Sequence, residues 1–336
     1  MQRLGIFVGE NNNSSFFREI SKDLAARYRV EFFTKRTYDT PLLNGRLNRW
    51  AFHRGIRVLL RRSDIGFFEW ASELLVPASH MPKSCAIVTR LHSFELYAWA
   101  PKVNWNRVDK VILVSEAMRQ KFCRLYPSHA AKTEVVHNGC SLERFTPPRQ
   151  REFRFNLGML GSLYPRKRVY EMVLTLWELK QRGYRPHLHV AGGVVHGPDL
   201  DEYFVALLRL IEKLGLRDDV THYDHVSDPS GWLQRMDIFI SNSYWEGHQV
   251  ALIEAMAAGC HCLSHFWDGA EEVLPTENLY ATDAQLQRMI LEYCSLPDHE
   301  KRDRQARMRA IAVEKFDIEA TKSRIRAILH DIGGQG

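Results

Sequence analysis

Two glutamates with seven residues between them, Glu246 and Glu254, bracket a polar loop and the start of an apolar helical stretch. Ile238–Ser243 is apolar and rich in β-branched residues, which predicts a buried strand broken by Asn242 and Ser243. Tyr244–Gly247 is a polar loop. From His248 to Ala258 the apolar residues Val250, Leu252, Ile253, Met256 and Ala257 recur at helical spacing, and Gly259 stops the helix. Cys260–Phe266 reads as the next strand. Strand, turn, helix, strand is a unit of a parallel sheet, which collects ligands at the carboxyl ends of its strands. The N–H groups of the helix start, at Gly247, His248, Gln249 and Val250, suit a phosphate. Glu254, two turns into the helix, could reach a ribose hydroxyl. A carboxylate beside a phosphate is repulsive unless it serves a sugar hydroxyl, so the pair suggests a ligand carrying both, such as a nucleotide sugar. The same spacing also fits a solvated loop residue and an exposed helix residue.

A second cluster follows the apolar strand Phe155–Gly161. After Ser162 come Arg166, Lys167 and Arg168, just ahead of a helix over Val169–Arg182. Cations there oppose the charge favoured at a helix N-terminus. An anion in the crevice would resolve the conflict; solvated charge is the alternative. His92 directly follows the strand Ala86–Leu91 and opens a polar turn with Ser93. Gly9 follows the first strand, Leu4–Val8, and begins a turn through Asn13; Ser14 or Ser15 can cap the helix that runs to about Tyr28. No G-x-G-x-x-G stands there, so a dinucleotide fingerprint is not supported. His187–Gly193 is a strand ending in a close-approach turn, Gly192-Gly193. Two stretches imitate metal motifs. Asp199-Leu200-Asp201 sits at a helix start, where capping explains it. In Cys260-His261-Cys262 the two thiols share one strand face and the imidazole points away, so burial is expected rather than zinc. No metal or cofactor is expected.

Ser243, Glu246, Gly247, Glu254, Ala255, Met256, Ala257 and Gly259 match the E-x7-E signature S-x-x-E-G-F-G-x-x-x-x-E-A-M-A-x-G. The stretch resembles the family-four retaining glycosyltransferases. His248 stands where the signature has Phe, and Gln249 where it has Gly. Further resemblance lies in LVSEAMRQKF and VVHNGCSLERF, against S-E-x-M and I-P-N-G-V-D-x-x-x-F, and in Gly161 to Arg168, against G-R-L-x-x-x-K-G. In that last motif Gly161 and Lys167 match, and Ser162 replaces the arginine, whose charge Arg166 or Arg168 could supply. The resemblance implies an α/β GT-B fold, two doubly wound Rossmann-like domains facing a cleft. It implies retaining transfer of a sugar from a nucleotide diphosphate sugar to a hydroxyl acceptor without a metal. Lys167 and Arg166 would neutralise the diphosphate, Glu246 would hold the donor sugar and Glu254 the ribose. Gly9 would face the diphosphate and the acceptor, and His92 would lie near the donor sugar. Departures at Ser162, His248 and Gln249 leave open a nucleotide-sugar-binding protein without transferase activity, whether an epimerase or an idle partner.

The 336 residues suffice for two domains, expected at 1–148 and 149–315 around a linker at Thr146–Glu152, with the helix at 316–330 able to pack on the first. No apolar run is long enough to span a membrane and no cleavage site follows the N-terminal run. Six cysteines without framework spacing suggest reduced thiols in a cytoplasm. Residues 1–150 hold 24 Lys and Arg against 13 Asp and Glu, while the rest holds 22 against 27. A helix over Leu42–Arg62 gathers Arg46, Arg49, Arg54, Arg57, Arg61 and Arg62 beside Trp50, with Phe52, Ile56, Leu59 and Leu60 on one face. It reads either as an ordinary surface helix or as an interfacial helix that meets anionic lipid at the inner face of the cell membrane, where an acceptor could be lipid-linked. Nucleic acid is not indicated, because aromatics are not interleaved with the basic residues as stacking platforms.

Overall fold

A computed structural model of the chain describes residues 1–9, 17–39 and 44–334. The turn after Gly9, the caps at Ser14 or Ser15, and Leu42 lie outside the described residues. The chain divides into two compact units, Met1–His137 with Glu319–Gly336, and Asn138–Ile318.

The first unit holds a parallel sheet of β1 (Arg3–Phe7), β2 (Arg29–Phe32), β3 (Ile65–Phe68), β4 (Ala86–Leu91), β5 (Lys110–Leu113) and β6 (Thr133–Val135), in the order β2-β1-β3-β4-β5-β6. Successive residues in a strand face opposite sides, and both sides are covered. Phe7 and Phe68 stack at 4.2 Å and pack with Ile56, Leu59 and Leu60 of the helix Asn44–Arg62. Their neighbour Phe67 stacks instead on Phe17 of the helix Phe17–Arg27. The helix Ile318–Gly333 belongs to this unit from Glu319 onward. Arg326 pairs with Asp23 at 2.7 Å, and Thr321 Oγ1 donates to the His137 carbonyl at 3.0 Å.

The second unit holds β7 (Asn156–Leu160), β8 (His187–Ala191), β9 (Val220–Tyr223), β10 (Ile238–Ser241), β11 (His261–His265) and β12 (Leu279–Tyr280), in the order β12-β11-β10-β7-β8-β9. That is the Rossmann order, with its direction of winding reversing between β7 and β10; the first unit has the flavodoxin-like order, reversing between β1 and β3. Ile238 and Ile240 of β10 face Met172 and Leu176 of the helix Val169–Gln181. Phe239, between them, faces Leu252 and Met256 of the helix Val250–Ala257. Burying a side chain such as Phe239 contributes about 2–3 kcal/mol relative to exposing it. Residues 138–148 pack here: Phe145 is buried in this core, Cys140 N donates to the Phe316 carbonyl at 2.9 Å, and Asn138 Nδ2 donates to the His248 carbonyl at 3.0 Å.

Two local expectations are corrected, and the burial expected of a third stretch is found. The helix after the polar loop begins at Val250 rather than His248, because Gln249 is the extended N-cap residue and its side chain is buried, accepting from Ser241 Oγ. The helix after β8 begins at Pro198 with Gly197 at its N-cap. Asp199 and Asp201 therefore lie in its first turn, favoured there by the helix dipole, and neither caps it; Asp201 also pairs with His196 at 2.8 Å. In Cys260-His261-Cys262 all three residues are buried, since His261 stacks on Tyr293 at 4.1 Å.

Candidate active site

The carboxyl ends of β7 and β10 carry the first cluster. Past β7 the chain turns through Gly161 at φ +150, and Gly161 N donates to the Ala191 carbonyl at 2.8 Å. Gly192, at φ +136, lies directly against it: a Cβ there would sit 2.1 Å from the Gly161 oxygen. Only glycine allows that approach. The turn leads to a short 3-10 helix, Pro165–Lys167, which aims two cations at one carboxylate. Lys167 Nζ lies 2.6 Å from Glu246 Oε1, and Arg166 Nη1 lies 3.1 Å from Glu246 Oε2. Ser243 Oγ donates to the same carboxylate at 2.7 Å. Arg166 also donates to the Trp245 carbonyl at 2.7 Å and to Tyr164 Oη at 2.6 Å. These bonds attach the turn after β7 to the loop after β10.

Glu246 is buried, which by itself would push its carboxyl up. The Lys167 ammonium and the Arg166 guanidinium outweigh that burial and hold it below the usual carboxylate range. Glu254 differs. It lies half-buried in the helix that follows, and burial, opposed only in part by Arg144, pushes its carboxyl up to about 7. The two glutamates of the motif thus occupy opposite electrostatic environments. One is a carboxylate held by cations; the other changes charge near neutrality.

The third cation has another task. Arg168 is buried in the left-handed conformation at φ 52 and ψ 40, a region a non-glycine residue seldom occupies. Its guanidinium donates to Asn242 at 3.0 Å and to Asp283 at 2.8 Å, while Asn242 Nδ2 donates back to the Arg168 carbonyl at 2.9 Å. Tyr280 Oη donates to Asn242 as well. Of the two arginines beside Lys167, Arg166 faces Glu246 and Arg168 braces the end of β10.

Gly161, Arg166, Lys167, Glu246, Gly247, His248, Gln249, Val250 and Glu254 are all in the second unit. Ser162 is there too, but exposed. The space bounded by Gly161, Lys167, Asn242, Ser243 and Gln249 is only about 10 Å³, since the paired side chains occupy it. His248 is buried with its ring 5.3 Å from Phe316, edge on.

Gly9 and His92 belong to the first unit. Gly9 is buried just past the carboxyl end of β1. His92 follows β4 and enters a buried polar cluster that sequence reading missed. Arg90 and Glu69 are both fully buried and pair at 2.6 Å. His92 Nε2 lies 3.2 Å from Glu69 Oε1 and 3.2 Å from the Glu69 carbonyl. Glu95, also buried, accepts from the backbone N–H groups of His92 and Ser93 at 3.0 and 2.8 Å. Trp70 covers the imidazole with ring centroids 4.1 Å apart. One signal was available: Arg90 interrupts the apolar run Ala86–Leu91, and Glu69 directly follows the apolar β3. A charge in a strand covered on both faces needs a partner.

Among the described residues, no group of three or more His, Cys, Asp or Glu is arranged to hold a metal ion, and no helix is long and apolar enough to cross a membrane.

Residues 154–293 match the family described as Glycosyl transferases group 1, and residues 14–144 match Glycosyltransferase Family 4. A curated relative, Protein CapJ of Staphylococcus aureus, is 20% identical over 179 residues, covering 52% of this chain. The match spans less than half, 44%, of that relative's length. Among solved structures, Anabaena HepE in complex with UDP-glucose superimposes with a TM-score of 0.82 at 18% identity, covering 98% of this chain and 100% of that one. The sucrose-phosphate synthase of Thermosynechococcus elongatus gives 0.81 at 15% identity, with 100% of each chain covered. The lipopolysaccharide outer core galactosyltransferase WaaB gives 0.70 at 18%, covering 98% of this chain and 100% of that one. At such identities the likeness is one of fold. The α/β class with two doubly wound Rossmann-like units, shared with GT-B glycosyltransferases, is the one expected from the sequence.

Proposed function

This chain belongs to the glycosyltransferases of family 4 and group 1, and we propose that it moves a sugar from a nucleotide diphosphate sugar, a UDP-sugar, to a hydroxyl acceptor with retention and without a metal. The observation that carries this reading is the convergence of Lys167 and Arg166 on Glu246, where the winding of a Rossmann-order sheet reverses. A buried carboxylate bound by two cations is a poor device for stability alone, because desolvation offsets most of the attraction. It is a good device for exchange. An arriving diphosphate takes the cations by charge-assisted hydrogen bonds, and Glu246 is released toward the donor sugar's hydroxyls.

The rate then comes from stabilising charge that develops as the sugar leaves. Lys167 and Arg166 neutralise the departing diphosphate, with N–H donors from Ser162, just past the turn at Gly161, and from the stretch Gly247–Val250. Glu246 opposes positive charge at the anomeric carbon. Glu254 accepts from the ribose hydroxyls, and Gly9 and His92 keep the roles that the family resemblance implies for them. A donor phosphate oxygen takes the acceptor proton, so that no protein nucleophile is needed. HepE has been solved with UDP-glucose, which makes UDP the first nucleotide to test.

The acceptor belongs to glycan, glycolipid or glycoconjugate synthesis. Arg46, Arg49, Arg54, Arg57, Arg61 and Arg62 are all exposed on one helix that has no acidic residue, and Trp50 is 55% exposed beneath Arg54. A groove of about 580 Å³ flanks that helix, lined by Phe52, Val76, Pro77, Met81 and Trp99 beside Arg57. Apolar surface next to unshared positive charge suits an anionic lipid, which would place the enzyme at the cytoplasmic face of a membrane.

A second reading, nucleotide-sugar binding without transfer, is favoured by His248 and Gln249. Their side chains pack inward on Phe316 and Ser241, and that of Gln249 fills space that a glycine would leave open. Thermal unfolding against a panel of nucleotides and nucleotide sugars tests the proposal, since a cognate donor stabilises by about 2.7 kcal/mol at a hundred times its Kd. Stabilisation with release of UDP and a glycosylated product supports transfer. Stabilisation with no product, or with a free sugar, supports the second reading. If no nucleotide raises the unfolding temperature, both fail.

A further inference from the structure

Glu69, Arg90, His92 and Glu95 stand together at the carboxyl ends of β3 and β4, next to the point where the winding of the first sheet reverses. Three of them are wholly buried, and His92 is 8% exposed. Such a group is costly to assemble. Glu69 Oε2 is buried with no hydrogen-bond partner among the described residues, and an unsatisfied charged oxygen of this kind destabilises a fold. The apolar core around it gains nothing from the ions, since buried pairs are often no better than well-packed hydrophobic residues. A costly polar cluster at the ligand-binding edge of a parallel sheet is what a functional site requires.

The geometry defines what the cluster does to the histidine. Among the described residues, His92 Nε2 lies 3.2 Å from the Glu69 carboxylate and 3.2 Å from the Glu69 carbonyl. Both can only accept, so Nε2 must carry the proton. Arg90 donates to the same carboxylate oxygen, Glu69 Oε1, at 2.6 Å, and Glu95 holds the backbone of His92 and Ser93. Trp70 lies over the ring and limits its rotation.

We infer that Glu69, braced by Arg90, is a positioning residue for His92, fixing its imidazole with the proton on Nε2, so that any hydrogen bond the neutral ring accepts from a sugar hydroxyl is accepted at Nδ1. The role of His92 toward the sugar rests on the proposed function; the tautomer does not. Carboxylates that orient metal-bound histidines are worth about 10–100-fold in activity, which sets the scale of the loss expected here.

The test has one arm that needs no substrate. Protein labelled with ¹⁵N-histidine is examined by long-range ¹H–¹⁵N correlation NMR, with His92 assigned by its loss in His92→Gln. The wild-type ring should show a protonated Nε2 and an unprotonated Nδ1, and Glu69→Gln should move both nitrogens toward averaged shifts. A wild-type ring protonated at Nδ1, or already averaged, overturns the proposal without any variant at position 69 and whatever the enzyme's activity. The second arm measures UDP release from UDP-glucose. Glu69→Gln should lower kcat about 10-fold with little change in KM, and by less than 2-fold when His92 is already Gln. Equal losses in both backgrounds would make Glu69 a structural residue and overturn the proposal. If UDP-glucose is not turned over at all, the donor reading fails while the NMR arm still decides this one.

Discussion

Replacing Lys167 by Met tests the centre of the site, because it removes a charge while keeping most of the side chain's bulk. Two effects are expected from one geometry. The first is on catalysis. Lys167 is one of two cations available to the departing diphosphate, and loss of one such stabilising group costs about 10²-fold in turnover, or some 2.7 kcal/mol. The second is on folding. Lys167 Nζ and Glu246 Oε1 are 2.6 Å apart with side chains 13% and 9% exposed, so the variant leaves a buried carboxylate short of a partner. Breaking a buried pair outright costs about 3–5 kcal/mol. Arg166 and Ser243 remain on Glu246, so the expected loss is nearer 1–3 kcal/mol. Its pH dependence has a definite sign. The folded-state carboxyl of Glu246 is held below its unfolded value, so its contribution is complete above the unfolded pKa and lost as pH falls through the folded one. The gap between wild type and variant should therefore be widest near neutrality and close in acid, below about pH 4. Adding Glu246→Gln removes the orphaned charge: the double variant should regain much of the stability and none of the activity. Urea unfolding at several pH values, with UDP release as the rate assay, measures both. Turnover within a factor of two of wild type would refute the diphosphate role. Strict additivity of the two stability losses would refute the pairing.

Four further outcomes follow from the same structure. Glu246→Gln should lower turnover more than UDP affinity, and Glu254→Gln should do the reverse, because a ribose contact is equal in ground and transition states; calorimetry with kinetics separates them. Glu254 is pushed up to about 7, so wild-type stability should decline as pH rises from about 4.5 through 7, and Glu254→Gln should flatten that slope in urea titrations at fixed pH values. Activity should survive EDTA, since diphosphate charge is met by Lys167 and Arg166; loss on chelation, restored by Mg²⁺ or Mn²⁺, would count against the metal-free mechanism. Wild-type protein should sediment with anionic but not zwitterionic vesicles, less so as salt rises, and Arg54, Arg57 and Arg61 changed together to Gln should weaken it. Protein that stays in the supernatant with anionic vesicles at low salt would instead favour a water-soluble acceptor.

Glu246, Lys167 and the strands that carry them were legible in the sequence because each signal is local. Apolar alternation marks a strand, helical spacing marks the helix over Val250–Ala257, and a motif of fixed spacing picks out both glutamates. Even the close-approach turn at Gly192 announced itself by its paired glycines. What local signals cannot carry is which side chains meet. Lys167 and Glu246 are 79 positions apart, and nothing in either segment says that they neutralise each other. Arg166 and Arg168 were interchangeable in sequence. The left-handed backbone at Arg168, where the family motif has glycine, turns that side chain to Asn242 and Asp283 and leaves Arg166 facing Glu246. Likewise the order of the strands, not their composition, sets Glu69 beside Arg90 and His92: β3 pairs with β4, with Phe68 opposite Thr89. Spacing along a chain determines which face a residue takes within its own element. Charge pairing, burial and the opposed carboxyls of Glu246 and Glu254 depend on neighbours brought from far along the chain, and only the packing of whole elements decides those.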